Sequence, residues 1–188
     1  MTPILWALIL GGLFGFALDR VGATNPDNII TMLRLTRLYL ARVILFAIGL
    51  ASTLLFAGLL MGWFDVGHMS VKATYWGVLI GGGLLGLGFA IAGYCPGTGL
   101  TALATGRKDA GFFVLGGLAG AFAYMLTFPW WKNAGLLDNL WGGKVTIAAI
   151  EGSSYAGLLA MSGELIGLAL GIGFMVLAWA LPERILKK

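Results

Sequence analysis

Five long apolar runs leave this chain few folds. They cover residues 3–18, 38–64, 75–104, 110–128 and 156–181, with charge gathered between them. A bilayer core about 30 Å thick is crossed by a helix of roughly 20 apolar residues. Of 188 residues, 59% are hydrophobic and 11% charged. Soluble domains carry about 25% charged residues. A mean hydropathy of +0.93 points the same way. The reading is an all-α integral membrane protein forming one domain over 1–188. The run 3–18 is short for a crossing and reads as tilted or incomplete. The start Met1-Thr2-Pro3 has no basic segment, so that run reads as a retained helix rather than a cleaved signal.

Basic residues choose an orientation. With five crossings and the N-terminus outside, the inside receives Arg20, Arg34, Arg37, Arg42, Arg107, Lys108, Arg184, Lys187 and Lys188. The outside receives Lys72, Lys132 and Lys144. That imbalance follows the positive-inside rule. It holds beyond Tyr75 only if 75–104 crosses rather than re-enters. The net charge of +4 is scattered through loops, which argues against a nucleic-acid partner. Trp130, Trp131, Trp141 and Tyr155 read as aromatic anchors at the interface.

The third run is interrupted by Gly93-Tyr94-Cys95-Pro96-Gly97-Thr98-Gly99. Unwound backbone at membrane depth is tolerated only where it is buried in protein or lines a water-filled cavity. Pro96 lacks an N–H, clashes with a continuing helix and suits the first turn of a new one. A new helix over 97–104 then opens with free N–H groups and a positive dipole end. Such an end binds anions, and Thr98 and Thr101 add hydroxyls. Asn25-Pro26 starts a second short helix, ending near Leu38, by the same logic. Two such ends meeting near the midplane would hold a small anion.

A weak internal repeat supports pairing the two breaks. A shift of 71 positions lays Gly11-Gly12-Leu13 on Gly82-Gly83-Leu84, Gly15 on Gly86 and Gly22 on Gly93. Thr24 then falls on Cys95, and Pro26 lies one place from the Pro96 register. The repeats would cover 3–64 and 75–128. Interrupted segments at matching places in two halves point to a transporter's central site. Glycines four apart, at Gly82 and Gly86, Gly116 and Gly120, and Gly163, Gly167 and Gly171, read as close helix packing.

Cys95 is the only cysteine, so an intramolecular disulfide is excluded. A lone membrane cysteine otherwise serves as a small buried hydrophobe. Beside a proline and among glycines, it reads as a working thiol. A thiol donates a weak hydrogen bond. Tyr94 lines the same stretch or packs beneath it. Glu164 lies within the last apolar run, where an acid is a functional candidate, yet it sits near the membrane surface. His68 is the single histidine, so no metal cluster can be assembled. No P-loop lysine accompanies the glycine runs, and no cofactor is expected.

The stretch "GLGFAIAGYCPGTGLTALATGRKDAGFFVLGGLAGA" resembles the YeeE/YedE sulfur-transport family, marked by a Gly-rich run ending in Gly-x-Cys and small residues. "GGLFGFALDRVGATNPDNIITMLRL" is similar to that family's opening element. Together they make up about a third of the chain. The resemblance implies a multi-pass protein of the bacterial inner membrane that takes up thiosulfate or a related sulfur species. It implies a path along which cysteine thiols pass the anion inward, with Cys95 as the motif cysteine. The candidate site is Gly93, Tyr94, Cys95, Pro96, Gly97 and Thr98, with Thr24, Asn25 and Pro26 from the other break. Thr24 stands where a second polar contact is expected. Longer members carry two related halves, which implies that two copies of this chain, as a homodimer, complete the path. Two other functions remain open: a sulfur carrier or sulfurtransferase holding a persulfide on Cys95, and a non-transporting assembly subunit.

Overall fold

The computed structural model describes residues 2–68, 70–140, 142–150 and 155–184. Trp141, Lys187 and Lys188, named above, lie outside them, as does the side chain of His68. Helix α1 runs Thr2–Arg20, α2 Pro26–Leu33, α3 Tyr39–Leu60, α4 Trp76–Ala92, α5 Pro96–Ala104 and α6 Lys108–Asn133. Strands β1 (Val145–Ala149) and β2 (Ala156–Ser162) pair in parallel before α7 (Gly163–Ala180). Five segments are long and apolar enough to cross a membrane: α1, α3, the broken α4–α5 stretch, α6 and α7. The protein is a multi-pass, all-α membrane protein with one small sheet.

Four boundaries differ from the sequence reading. Helix α1 extends past the apolar run at both ends, reaching 19 residues, enough for a full crossing. The last apolar run opens as β2, because its first residues pair with β1 instead of winding a helix. The short α2 stops at Leu33, because Leu35 turns to φ 57°. Trp130 and Trp131 belong to the last turns of α6 rather than to the loop.

The chain contacts group into two compact units, Met1–Leu40 with Gly83–Pro129 and Pro182–Lys188, and Ala41–Gly82 with Trp130–Leu181. In the second, glycines let α3 and α7 meet. A Cβ on Gly49 would lie 2.6 Å from the Gly171 carbonyl oxygen, and one on Gly167 would overlap the Phe56 ring. The Ser52 hydroxyl donates to the Gly167 carbonyl at 3.1 Å, and Arg42 Nε donates to Ala178 O at 3.1 Å. Close backbone approach with hydrogen bonds is how membrane helices associate, since lipid removes the hydrophobic drive between them. Gly163 is also packed, against Ile150 and the Ala149 carbonyl. The other glycine pairs behave differently. Cβ atoms at Gly82, Gly86, Gly116 or Gly120 would meet nothing within 4 Å. Among the described residues, nothing packs directly against those four positions.

In the first unit the backbone uses one plan twice. A long helix ends at a glycine of positive φ, Gly22 at 78° and Gly93 at 70°. A short helix begins with proline at Pro26 and at Pro96. Its C-cap is Arg34 (φ −78°, ψ 2°) in one case and Thr105 (φ −79°, ψ 3°) in the other. Next comes a left-handed residue, Leu35 at 57° and Gly106 at 87°. Both ends are Schellman motifs: Thr36 N–H donates to Thr31 O, and Arg107 N–H to Ala102 O. A small core supports each break. Ala23 packs with Ile29 and Leu40, and Tyr94 with Ala102 and Ala110. In the first the break residue is small and the helix residues large; in the second the sizes are exchanged.

Leu35 is a leucine where its counterpart is Gly106. A left-handed non-glycine residue costs roughly 1–2 kcal/mol. Leu35→Gly is expected to raise the thermal midpoint in detergent by about 2–4 °C. Gly106→Leu is expected to lower it by a similar amount. A lower midpoint for Leu35→Gly would mean that the half-exposed leucine packs against something stronger than that strain.

Candidate functional site

The two breaks touch. Gly93, turned to φ 70° at the end of α4, lies against the first residue of α2: a Cβ there would stand 2.8 Å from Pro26 Cβ and 3.1 Å from Pro26 O. Only glycine allows both this backbone angle and this approach. Helix α5 starts three residues later, at Pro96, so its N-terminus is held close to that of α2.

Cys95 is the N-cap of α5, and Pro96 follows at the first helical position. The cap is reciprocal. Thr98 N–H donates to Cys95 Sγ at 3.4 Å, and Cys95 N–H donates to Thr98 Oγ1 at 2.9 Å. The Thr98 hydroxyl proton is shared between Cys95 O and Cys95 Sγ, both at 3.2 Å. This is the capping-box arrangement with a thiol and a hydroxyl in place of the usual pair. Gly99 N–H donates to Cys95 O at 2.9 Å. Cys95 Sγ therefore accepts two hydrogen bonds from Thr98, one from its N–H and one from its hydroxyl. Gly97 keeps an open side, since a Cβ there would meet nothing within 4 Å. Cys95 is half-buried and Thr98 buried.

The α2 terminus is built differently. Asn25 is its N-cap and accepts from Asp27 N–H at 3.1 Å, while Asn28 N–H donates to Asn25 O at 3.1 Å. Its first-turn donors are therefore used internally, and Asp27 adds a negative charge. Thr24 is buried, with its hydroxyl donating to Asp19 Oδ1 at 2.8 Å. Asn28 Nδ2 closes the turn by donating to Gly22 O at 2.9 Å. Both short helices thus spend first-turn N–H groups on their own caps, Thr98 and Gly99 on Cys95 and Asp27 and Asn28 on Asn25.

Tyr94 is 2% exposed. Its ring lies 5.6 Å from Phe113, and its hydroxyl donates to Asp109 Oδ2 at 2.7 Å. Arg107 grips the same carboxylate through Nε (3.3 Å) and Nη2 (3.1 Å). The hydrogen bond to Asp109 pushes the Arg107 guanidinium further up from its already high range. Sequence reasoning missed this chain of contacts. Its only signal was a charged pair two residues apart just before a helix. Glu164, in the first turn of α7, is buried at 9% exposure. It lies in the unit that does not hold Cys95.

A groove of about 470 Å³ runs between α1 and α5, lined by Gly11, Gly12, Gly15, Asp19, Thr101 and Thr105 among others. Cys95 is not on its wall. Among the described residues, no group of three or more His, Cys, Asp or Glu side chains is placed to hold a metal.

Comparison with known proteins gives one assignment. Neither the curated proteins nor the solved structures contain a match to the chain. One family model, described as sulphur transport, matches residues 26–187. The match begins at Pro26, so "GGLFGFALDRVGAT" falls before it. It runs on through α6, β1, β2 and α7, well past the glycine-rich stretches that carried the resemblance. A cysteine-capped, proline-initiated helix in a glycine-rich membrane protein thus sits inside a family match covering most of the sequence, and the chain belongs to the sulphur transport family, the YeeE/YedE proteins.

Proposed function

We propose that this protein carries thiosulfate, or a closely related small sulfur-containing anion, inward across the bacterial inner membrane past Cys95. Its family supports sulfur transport in general. The observation that carries the finer reading is the cap of α5. Cys95 Sγ accepts from Thr98 at the N-terminus of α5, and in this reading its own S–H is the group given to the ligand. An S–H donor and a helix N-terminus both favour an anion. The soft, polarizable sulfur suits a sulfur-bearing ligand over a hard oxyanion. Gly93 seated on Pro26 keeps the opening narrow, and Gly97 leaves room for the ligand to pass. Thr24, Asn25 and Pro26 shape the facing wall.

A second copy of the chain completes the path. The open glycine faces of α4 and α6 are of the kind that admits another helix closely. Five crossings with the N-terminus outside set the direction of uptake.

Proteoliposomes loaded with buffer test the reading. We expect saturable uptake of ³⁵S-thiosulfate, with sulfate at least about tenfold slower, a ratio corresponding to roughly 1.4 kcal/mol of discrimination. Equal rates for thiosulfate and sulfate would overturn the soft-sulfur selectivity. A strictly monomeric mass in lipid, with uptake intact, would overturn the second-copy arrangement.

A further inference from the structure

Cys95 has a rigid neighbour that the transport reading does not use. Tyr94 precedes it directly, is almost fully buried, and spends its hydroxyl on Asp109 at 2.7 Å. Asp109 is in turn fixed by two bonds from Arg107 at 3.3 and 3.1 Å. The tyrosine ring is clamped between Phe113 of α6 and the fully buried Ala102 and Ala110. Gly99 lets Phe113 come that close, since a Cβ there would lie 2.5 Å from the ring. The other break has nothing comparable. Its matching core residue is Ala23, and the side-chain pair beside it, Thr24 with Asp19, stays within α1 and its own turn.

We propose that Asp109, held by Arg107, is a positioning residue: through the Tyr94 hydroxyl it fixes the backbone that presents the Cys95 thiol. The mechanism is leverage along a short chain. A charge-assisted hydrogen bond is shorter and stronger than a neutral one. Tyr94 and Cys95 share a peptide plane, so pinning the phenol limits rotation of the residue whose carbonyl and sulfur form the α5 cap. The ion pair sits at the start of α6, with both side chains partly exposed. It therefore ties the break to a point outside the apolar stretch. The proposal rests on the reading that Cys95 meets the transported anion, but the strut itself can be tested without transport.

The experiment uses the full chain in lipid vesicles with Tyr94→Phe, Asp109→Asn and the double variant. Phe keeps the ring packing and Asn keeps the side-chain shape. The first readout is the rate of Cys95 alkylation by a small maleimide in the folded protein. Each single variant should change this rate by about fivefold, the scale of one net hydrogen bond. The double variant should change it no further than Tyr94→Phe does, because that variant already removes the bond that asparagine, still an acceptor but uncharged, only weakens. The second readout is thiosulfate uptake, where KM should rise with Vmax nearly constant. Additive effects on alkylation, or none in either single variant, would overturn the proposal. Altered alkylation in a protein that takes up no sulfur anion would leave the strut standing and remove the transport reading instead.

Discussion

Cys95→Ser is expected to abolish most sulfur-anion uptake while leaving the fold as stable as before. Serine is a favoured N-cap, so the α5 terminus loses nothing by the exchange. The reciprocal bond from Cys95 N–H to Thr98 Oγ1 is made by backbone and persists. What changes is the donor group: a harder, smaller hydroxyl replaces a polarizable thiol. A serine hydroxyl still donates a hydrogen bond, so slowing by about tenfold to a hundredfold, roughly 1.4–2.8 kcal/mol, would measure what the polarizable sulfur itself contributes. Cys95→Ala removes the donor altogether and should fall at the slow end of that range. Its cap also weakens, at a cost of about 1 kcal/mol. The serine variant is the sharper test because its stability is preserved. Wild-type uptake by Cys95→Ser would show that the thiol is dispensable. A persulfide found on Cys95 by mass spectrometry after turnover would favour the carrier chemistry over simple passage.

Gly93→Val should produce the largest structural effect of any single substitution near the site. The residue has φ 70°, and its missing Cβ would fall 2.8 Å from Pro26 Cβ and 3.1 Å from Pro26 O. The left-handed angle alone costs roughly 1–2 kcal/mol for an L-residue with a side chain. Overpacking against a proline ring adds typically 1–3 kcal/mol. Together these lower the thermal midpoint by several degrees and push the two breaks apart, so uptake is lost with the fold weakened. Gly97→Ala is the control. It lies in α5 with nothing within 4 Å of the added Cβ, and alanine is the better helix former by about 1 kcal/mol. Its midpoint should hold or rise. A Gly93→Val protein with wild-type midpoint and uptake would refute the contact between the breaks.

Much of this architecture was legible in the linear chain. Apolar runs of membrane-spanning length have little choice but helix, because every backbone polar group must find its partner within the segment. Gly93-Tyr94-Cys95-Pro96 declared a helix end and a helix start, since proline and glycine act through local sterics. The 71-residue offset was visible in glycines, and it reappears in the dihedrals of Arg34 and Thr105. Other features were not legible. Nothing local separates the glycines of α7 that receive Phe56 and Gly49 from those of α6 that receive nothing. Residues 156–162 are apolar enough for a helix, yet β1 draws them into a strand. Asp109 carried no mark that it would meet Tyr94.

The sequence by itself determined most of where the helices lie, where they break, and that the single thiol stands at the second break. Those properties follow from hydropathy and from the covalent geometry of proline and glycine, which act over a few residues. Only the tertiary structure decided that Gly93 rests on Pro26, that the α2 donors are already used, and that Tyr94 is pinned from outside the apolar stretch. Such contacts join residues far apart in the chain. Their selection depends on steric fit between surfaces, which no local pattern of residues encodes.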